Sequence, residues 1–507
     1  MIMKRALISV FDKTNIVDLA LFLVQRRVEV LSTGNTYKVL FEAGVKTREV
    51  SDYIEFPEIL GGRVKTLHPK IYGGILCGQK KYNEEMQDLG IEPIDLLIVN
   101  LYPFWEEVNN MASYGQIIEQ IDIGGVALIR AAAKNFHFTS VISSIEDYEI
   151  LKIEMIKNDN KTTLKYRKYL ATKAFALTTY YDSNIYNWFI SQSKDSSKLP
   201  KFFALCGYKM QELRYGENPH QKAAFYSNQF TKYPLEKIHG KDLSYNNILD
   251  VESALDVISE FKEPIAVIIK HNNPCGVAVG SNVLEAYEKA LSCDKVSSFG
   301  GIVALNREVD FKLAKKLNEI FLEIVVMPSI NNEALQILRR KKNLIIIIYR
   351  SFKQDIKYKI KNVVGGFLIQ GNNDHIIRTE EMNQVTESAV TEKEKKDLLF
   401  AWKICKYVKS NAIVIVKNEC TVGIGAGQTS RIDSVNIAVK KAGKRCKGAV
   451  LASDAFFPFS DSIIKGAKYG ITAIVQPGGS LKDQDVIAAA NKSKIAMFFT
   501  GIRNFFH

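Results

Sequence analysis

Along the first 145 residues, short apolar runs alternate with stretches whose apolar positions recur every three or four residues. Arg5 to Val10 predicts a strand, Asn15 to Arg26 an amphipathic helix, and Val28 to Leu31 a second strand. Further on, Ile94 to Asn100 predicts a buried strand, Gly125 to Lys134 a helix, and Phe138 to Ser143 another strand. Apolar strands separated by helices imply a parallel sheet covered on both faces, because parallel neighbours need a crossover and helices supply it. Ligands of such sheets bind beyond the carboxyl ends of the strands, so the loops there are where chemistry is sought. Residues 146–192 read as helical. Ser191 to Lys201 (SQSKDSSKLPK) is polar, Ser-rich and contains Pro, which places a domain boundary there and predicts domains over 1–192 and 202–507.

The second part contains an internal repeat. A shift of 147 residues sets IAVIIKHNNPCGVAVG (265–280) on AIVIVKNECTVGIGAG (412–427) without a gap, with Lys270 on Lys417 and Gly276 on Gly423. The same shift sets GIVAL (301–305) over GAVLA (448–452), and two further residues bring EIVVMP (323–328) onto TAIVQP (472–477). Three matches in the same order predict two similarly folded α/β subdomains in tandem, over about 202–365 and 366–507.

Composition narrows the class. A chain of 507 residues exceeds what one core normally fills, in line with several domains. The basic surplus of 68 − 55 = 13 is scattered, as at Lys80-Lys81 and Arg339 to Lys342. Without a stripe of basic and aromatic residues, it predicts a solvated surface and no nucleic-acid partner. The seven Cys include no Cys-x-x-Cys pair, which argues against a disulfide framework or structural zinc and fits a reducing, cytoplasmic compartment. The apolar runs are too short to span a bilayer, and MIMKRALISVFDK lacks the form of a signal peptide, so no membrane partner is expected.

Several loops carry candidate chemistry. STGNT (32–36) leads from a strand into a helix and could hold a phosphate on its amides, while GGRVKTLHPK (61–70) places Arg63 and Lys65 on one loop. Each also reads as an ordinary tight turn. Asp122 in IDIGG precedes a helix that ends near Lys134, and could simply cap it. Tyr102 in NLYPF follows a buried strand and could be core filling. In KHNNPCG (270–276), Lys270 ends an apolar strand and His271 follows, a plausible base and oxyanion partner or else a core histidine. The PCG run lacks the second Cys and the His-x-Glu that zinc deaminase chemistry needs, so no catalytic metal is expected.

With those residues collected, the whole chain resembles the fused aminoimidazole-carboxamide ribonucleotide (AICAR) formyltransferase–inosine monophosphate (IMP) cyclohydrolase of purine biosynthesis. SVFDKT, STGNT, GGRVKTLHP, VNLYPF, IDIGG and RAAAKN resemble its cyclohydrolase domain, which has a methylglyoxal-synthase-like fold. LRYGENPHQ, LSYNN, KHNNPCG, SSFGG, KSNAI, GIGAGQTSR, SDAFFPF and RNFFH resemble its transferase domain, which is two cytidine-deaminase-like subdomains without zinc. The resemblance implies nucleotide binding by Ser9, Lys13, Ser32, Thr33, Gly34, Arg63, Lys65 and Thr66. Around the ring closure it places Lys65, Asn100, Tyr102, Asp122 and Lys134. In the transferase half it makes His271 the general base, Lys270 its catalytic neighbour and Asn411 the residue that orients the formyl group. It places Arg214, Tyr215, Gly300, Gly301, Arg431, Arg503, Phe505 and His507 among the binding positions, with Phe456 and Phe457 as a wall near the folate. It further implies 10-formyltetrahydrofolate as donor, the formylated nucleotide (FAICAR) as intermediate, IMP as product, a homodimer and a structural monovalent cation.

Four positions depart from the pattern. Phe11 stands where the family usually has Ser, Asn35 where it has Gly, Tyr72 where it has His, and Ser460 where Arg is common. The first two border the phosphate loop, which predicts altered substrate affinity with activity retained. Competing readings are a transferase whose N-terminal domain is only a scaffold, an anion sensor, and an RNA-binding module. Intact Lys65, Asp122 and Lys134 oppose the first, and His271 with the terminal Arg503 to His507 segment opposes the second.

Overall fold

The computed structural model describes residues 2–193, 199–227, 234–350 and 358–507. The chain forms two compact units, one over residues 1–210 with 226–231, the other over 211–225 with 232–507. Within the Ser191 to Lys201 stretch read as a boundary, residues 194–198 lie outside the described ones.

The first unit is a parallel five-stranded sheet. Its strands are β1 (Arg5–Ser9), β2 (Glu29–Ser32), β3 (Thr47–Glu49), β4 (Leu96–Val99) and β5 (Ser140–Ile142), in the order β3-β2-β1-β4-β5. All four pairings are parallel. The apolar runs become the central strands because both faces are covered, and all four residues of β4 are buried. The helix Ile16–Gln25 buries Ile16, Leu19, Ala20 and Leu23, the three-and-four spacing of one face. Each such Leu or Ile contributes about 1.5–3 kcal/mol of apolar burial. The edge strand β3 was not legible, because its polar sequence TRE carries no apolar signal. Strand order runs outward from β1 through β2 and β3, then resumes on the other side at β4. The carboxyl ends of β1 and β4 therefore flank the topological switch point, where a crevice opens.

The second unit contains two six-stranded mixed sheets of one topology. The first sheet orders Asn273–Val279, Ile265–Lys270, Ile302–Leu305, Ile324–Met327, Ile345–Tyr349 and Leu235–His239. The second orders Thr421–Gly425, Ile413–Val416, Ala449–Ser453, Ile471–Gln476, Ala496–Phe499 and Asn383–Gln384. In both, neighbouring pairs run antiparallel, antiparallel, parallel, parallel and antiparallel. The repeat extends further than the sequence match, since helices Tyr245–Ser259 and Glu392–Cys405 start 392 − 245 = 147 residues apart. The inner faces of both sheets share one apolar core that includes Val267, Ile269, Val414 and Val416. Among the described residues, no helix is long and apolar enough to cross a membrane.

Candidate active sites

At the switch point of the first unit lies a cleft of about 890 Å³, lined by Ser9, Lys13, Thr33, Gly34, Arg63, Lys65, Thr66, Asn100, Tyr102 and Asp122 among others. Ser9, Thr33, Asn100 and Tyr102 come from strand ends or the residues just after them, whereas Arg63, Lys65 and Thr66 lie on the loop before helix Pro69–Leu76, and Asp122 lies between helices Tyr114–Glu119 and Gly124–Lys134. Ser9 ends β1, and its hydroxyl lies 3.1 Å from that of Thr33, just past β2. Asn100 follows β4; its Oδ1 accepts from the Phe11 amide at 2.6 Å and the Asp12 amide at 3.1 Å, while its Nδ2 donates to Asp12 O at 2.8 Å. Asn100 thereby fixes the loop that carries Lys13, whose Nζ donates to Phe11 O at 2.9 Å. Lys13, Arg63 and Lys65 make the mouth cationic. Arg63 pairs with Glu119, and Glu58 stands near Lys65 beside Gly34.

Asp122 is both a cap and a site group. Its Oδ1 accepts from the Gly125 amide in the first turn of helix Gly124–Lys134 at 2.7 Å, so the capping reading holds. The same carboxylate faces the cleft, and a Cβ on Gly125 would run into it, so a larger residue there would displace the Asp122 carboxyl. Its backbone amide donates to Tyr181 Oη at 2.9 Å, and that hydroxyl donates to Gln120 O at 2.7 Å. Burial raises the Asp122 pKa above the usual carboxylate value, opposed by the Gly125 amide, the Lys65 charge and the Tyr102 amide. A carboxyl whose pKa is raised by burial in a cleft is a candidate for taking and returning protons. Phe11 places its ring edge-on to Tyr102 at 5.6 Å, and Asn35 lines the cleft, so both departures border the site.

Two expected residues lie elsewhere. Ser32 is fully buried and donates its hydroxyl to Ile8 O at 2.9 Å, which makes it part of the sheet. Lys134 lines a separate depression of about 600 Å³ with Arg130, Phe136, Lys168 and Phe175. Glu58 and Glu119, which line the main cleft, were missed; neither belongs to a Gly loop or ends a strand.

In the second unit, Ile265–Lys270 returns as Asn273–Val279 through His271 and Asn272, both left-handed at φ 55° and 58°. Two such residues make the type I′ turn favoured in tight hairpins. His271 is exposed, so it is not a core histidine. Lys270 Nζ donates to Phe299 O at 2.7 Å, which anchors it on the loop carrying Gly300 and Gly301. Asn273 ties the turn to the second copy: its Nδ2 donates to His271 O at 3.2 Å and its Oδ1 accepts from Lys409 N at 3.1 Å.

Asn411, two residues further, donates to Gln428 O at 2.9 Å and Thr429 O at 3.1 Å, and accepts from Arg431 at 2.7 Å. Arg431 is itself buried, donates to Ser453 Oγ at 2.8 Å and pairs with Asp454, so it holds Asn411 in place. The C-terminal segment docks beside it. Ser410 N donates to Phe506 O at 2.9 Å, and Phe506 N donates to Ser410 Oγ at 3.1 Å. The Arg503 guanidinium stacks 4.3 Å over Phe505, whose ring lies 5.4 Å from that of His507. Arg214 stacks 5.0 Å over Tyr215, whose carbonyl accepts from Tyr245 N at 3.2 Å at the start of helix Tyr245–Ser259. Of the aromatic pair, Phe457 is fully buried in the core, and only the half-exposed Phe456 can meet a ligand.

A cleft lined by both cations and carboxylates at a parallel-sheet switch point, joined in one chain to a duplicated unit with an exposed strand-end His–Lys pair, defines a two-site enzyme. The chain belongs to the family of AICARFT/IMPCHase bienzymes, whose profile matches residues 132–441, and an MGS-like domain profile matches residues 15–127. It is 50% identical to the bifunctional purine biosynthesis protein PurH of Caldicellulosiruptor bescii over 99% of this chain and 100% of that protein. The proteins of the same name from Thermoanaerobacter sp. and Persephonella marina are 49% and 48% identical, each over 99% of this chain and 100% of their own length.

Proposed function

We propose that the two activities of the family divide over this chain, with ring closure in the cleft of the first unit and formyl transfer at the His271 turn of the second. The chain is a bifunctional enzyme that formylates the 5-amino group of AICAR and then cyclises FAICAR to IMP. The observation that supports the division is that the cleft of the first unit gathers Lys65, Tyr102 and Asp122, while the second carries Lys270 and His271 at one hairpin.

In formyl transfer, the amine nitrogen attacks the formyl carbon of 10-formyltetrahydrofolate. Its proton passes to a ring nitrogen of His271, the bond from the formyl carbon to N10 breaks, and the proton is returned from His271 to N10 so that neutral tetrahydrofolate leaves. That amine is a weak nucleophile because its lone pair delocalises into the ring, so removal of the proton must accompany attack. Lys270 stands ready to stabilise the oxyanion of the tetrahedral intermediate, and Asn411, fixed by Arg431, orients the formyl group. Arg214, Tyr215 and the segment Arg503 to His507 hold the nucleotide, and Phe456 meets the folate.

In ring closure, the carboxamide nitrogen attacks the formamido carbon and water is lost. Ser9, Lys13, Thr33, Gly34, Arg63 and Thr66 bind the phosphate and ribose. Lys65 stabilises the oxyanion, while Asp122 and Tyr102 move the protons. The reaction is intramolecular, so orientation supplies much of the acceleration and no cofactor is needed. The working form is a cytoplasmic homodimer, as the family resemblance implies.

The test supplies AICAR and 10-formyltetrahydrofolate, and follows tetrahydrofolate and IMP separately. His271→Ala is expected to slow tetrahydrofolate release by about 10²–10⁴-fold while supplied FAICAR still cyclises at the native rate. If His271→Ala retains transfer, the base assignment is wrong.

A further inference from the structure

Asp250 has no role in the assignments above. It lies on helix Tyr245–Ser259, packed against the His271 hairpin, and its Oδ1 accepts from the Asn272 amide at 2.7 Å. In the orientation the hydrogen-bond network requires, the Asn272 side-chain nitrogen reaches the same oxygen at 2.9 Å and Leu249 O at 3.3 Å. Burial raises the Asp250 pKa, opposed by the Asn272 amide, the His271 charge and the His271 amide. The titratable group that faces this carboxylate is His271.

The second copy supplies an internal comparison. Asp397, 397 − 250 = 147 residues on, accepts from Asn418 N at 2.8 Å and Glu419 N at 2.6 Å. Asn418 and Glu419 are left-handed at φ 59° and 50°, the same turn as His271 and Asn272. Carboxylate capping of the turn is thus common to both copies. Only in the first copy does the capped residue carry an imidazole. A carboxylate beside a ring that takes up a proton favours the protonated ring, and its bonds to Asn272 hold the turn that carries the ring.

We propose that Asp250 is a positioning residue for formyl transfer, holding His271 on its left-handed turn and supplying the counter-charge to the imidazolium formed when the amine proton is taken. This rests on the reading of His271 as the base. The proton moves from the amine to His271 and then to the departing N10.

Asp250→Asn keeps an oxygen that can accept the amide bonds but removes the charge. In the full chain it is expected to lower kcat of transfer at least about tenfold and move the acid limb of the kcat–pH profile to lower pH. The KM for AICAR stays within about twofold, since no nucleotide contact is lost. Cyclisation of supplied FAICAR is unchanged. Asp397→Asn, which alters a turn without an imidazole, leaves the transfer profile as in the native chain. If Asp250→Asn does not fold, Asp250→Glu tests the same point, with kcat reduced but the acid limb in its native place. A native kcat and pH profile in Asp250→Asn overturns the proposal, as does an equal loss in Asp397→Asn or a displaced acid limb in Asp250→Glu. Retained transfer in His271→Ala, by contrast, removes the base assignment itself.

Discussion

Asp122 shows how one side chain meets structural and chemical demands together. It caps helix Gly124–Lys134 and also presents a carboxyl to the cleft, at the cost of partial removal from water. Burial raises its pKa, so its ionised form is disfavoured in the folded state. The stability of that state is therefore greatest, as far as Asp122 is concerned, below the unfolded value of 3.8 and declines as pH rises through the higher folded value. Asp122→Asn is expected to raise the melting temperature at pH 7 while abolishing cyclisation, with the stability gain fading as pH falls towards 3.8; a gain that persists in acid contradicts the burial account. Tyr72 lies nearby, its pKa raised to about 12 by burial and by the Asp122 charge, and its hidden hydroxyl has no hydrogen-bond partner. Tyr72→Phe is expected to stabilise the fold by about 1 kcal/mol in denaturant titration and leave cyclisation intact. Lost cyclisation would show that the hydroxyl serves the substrate. Tyr102 was legible because it follows a buried strand, Lys65 because it sits on a Gly-containing loop, and Asp122 because it stands just ahead of a helix. The position of Lys134 was not, because helix Gly124–Lys134 carries it about 16 Å from the end where Asp122 lies.

At the scale of elements, the repeat is written where packing leaves no choice. A Cβ on Gly276 would lie 2.0 Å from Ala290 O, and one on Gly423 would lie 2.2 Å from Ala438 O, so each hairpin can press on its helix only through glycine. Lys270 and Lys417 likewise donate to backbone carbonyls, Phe299 O and Lys447 O, both at 2.7 Å. These constraints kept the glycines and lysines matched at a shift of 147 residues. The outer strands Leu235–His239 and Asn383–Gln384 contain no glycine pressed on a helix, and their sequences LEKIH and NQ show no kinship. Gly276→Ala and Gly423→Ala are each expected to cost about 2–3 kcal/mol in denaturant titration. A neutral result at both sites would mean that the hairpins can move off their helices at little cost.

Across the whole molecule, two units place one nucleotide chemistry in two different folds. In the proposed division, the first uses the crevice of a parallel sheet and the second the turns of duplicated mixed sheets. That plan was readable from the alternation of apolar runs and from the repeat, whereas the Glu58 and Glu119 linings were not, since a carboxylate on a loop or at a helix end has no signature of its own. The net charge of +13 serves anionic substrates in this account. Passage of the chain over immobilised RNA at physiological salt is expected to show no retention, and salt-sensitive retention would return the basic surplus to nucleic acid.

The central claim is that two independent sites act in sequence. Lys65→Ala is expected to stop cyclisation and spare transfer, while His271→Ala does the reverse. The most direct measurement mixes these two purified variants with AICAR and 10-formyltetrahydrofolate and follows IMP. The account predicts IMP from the mixture and almost none from either variant alone, because FAICAR released by one is closed by the other. No IMP from the mixture, although each variant keeps its remaining activity in separate assays, would contradict sites that work independently through a released intermediate.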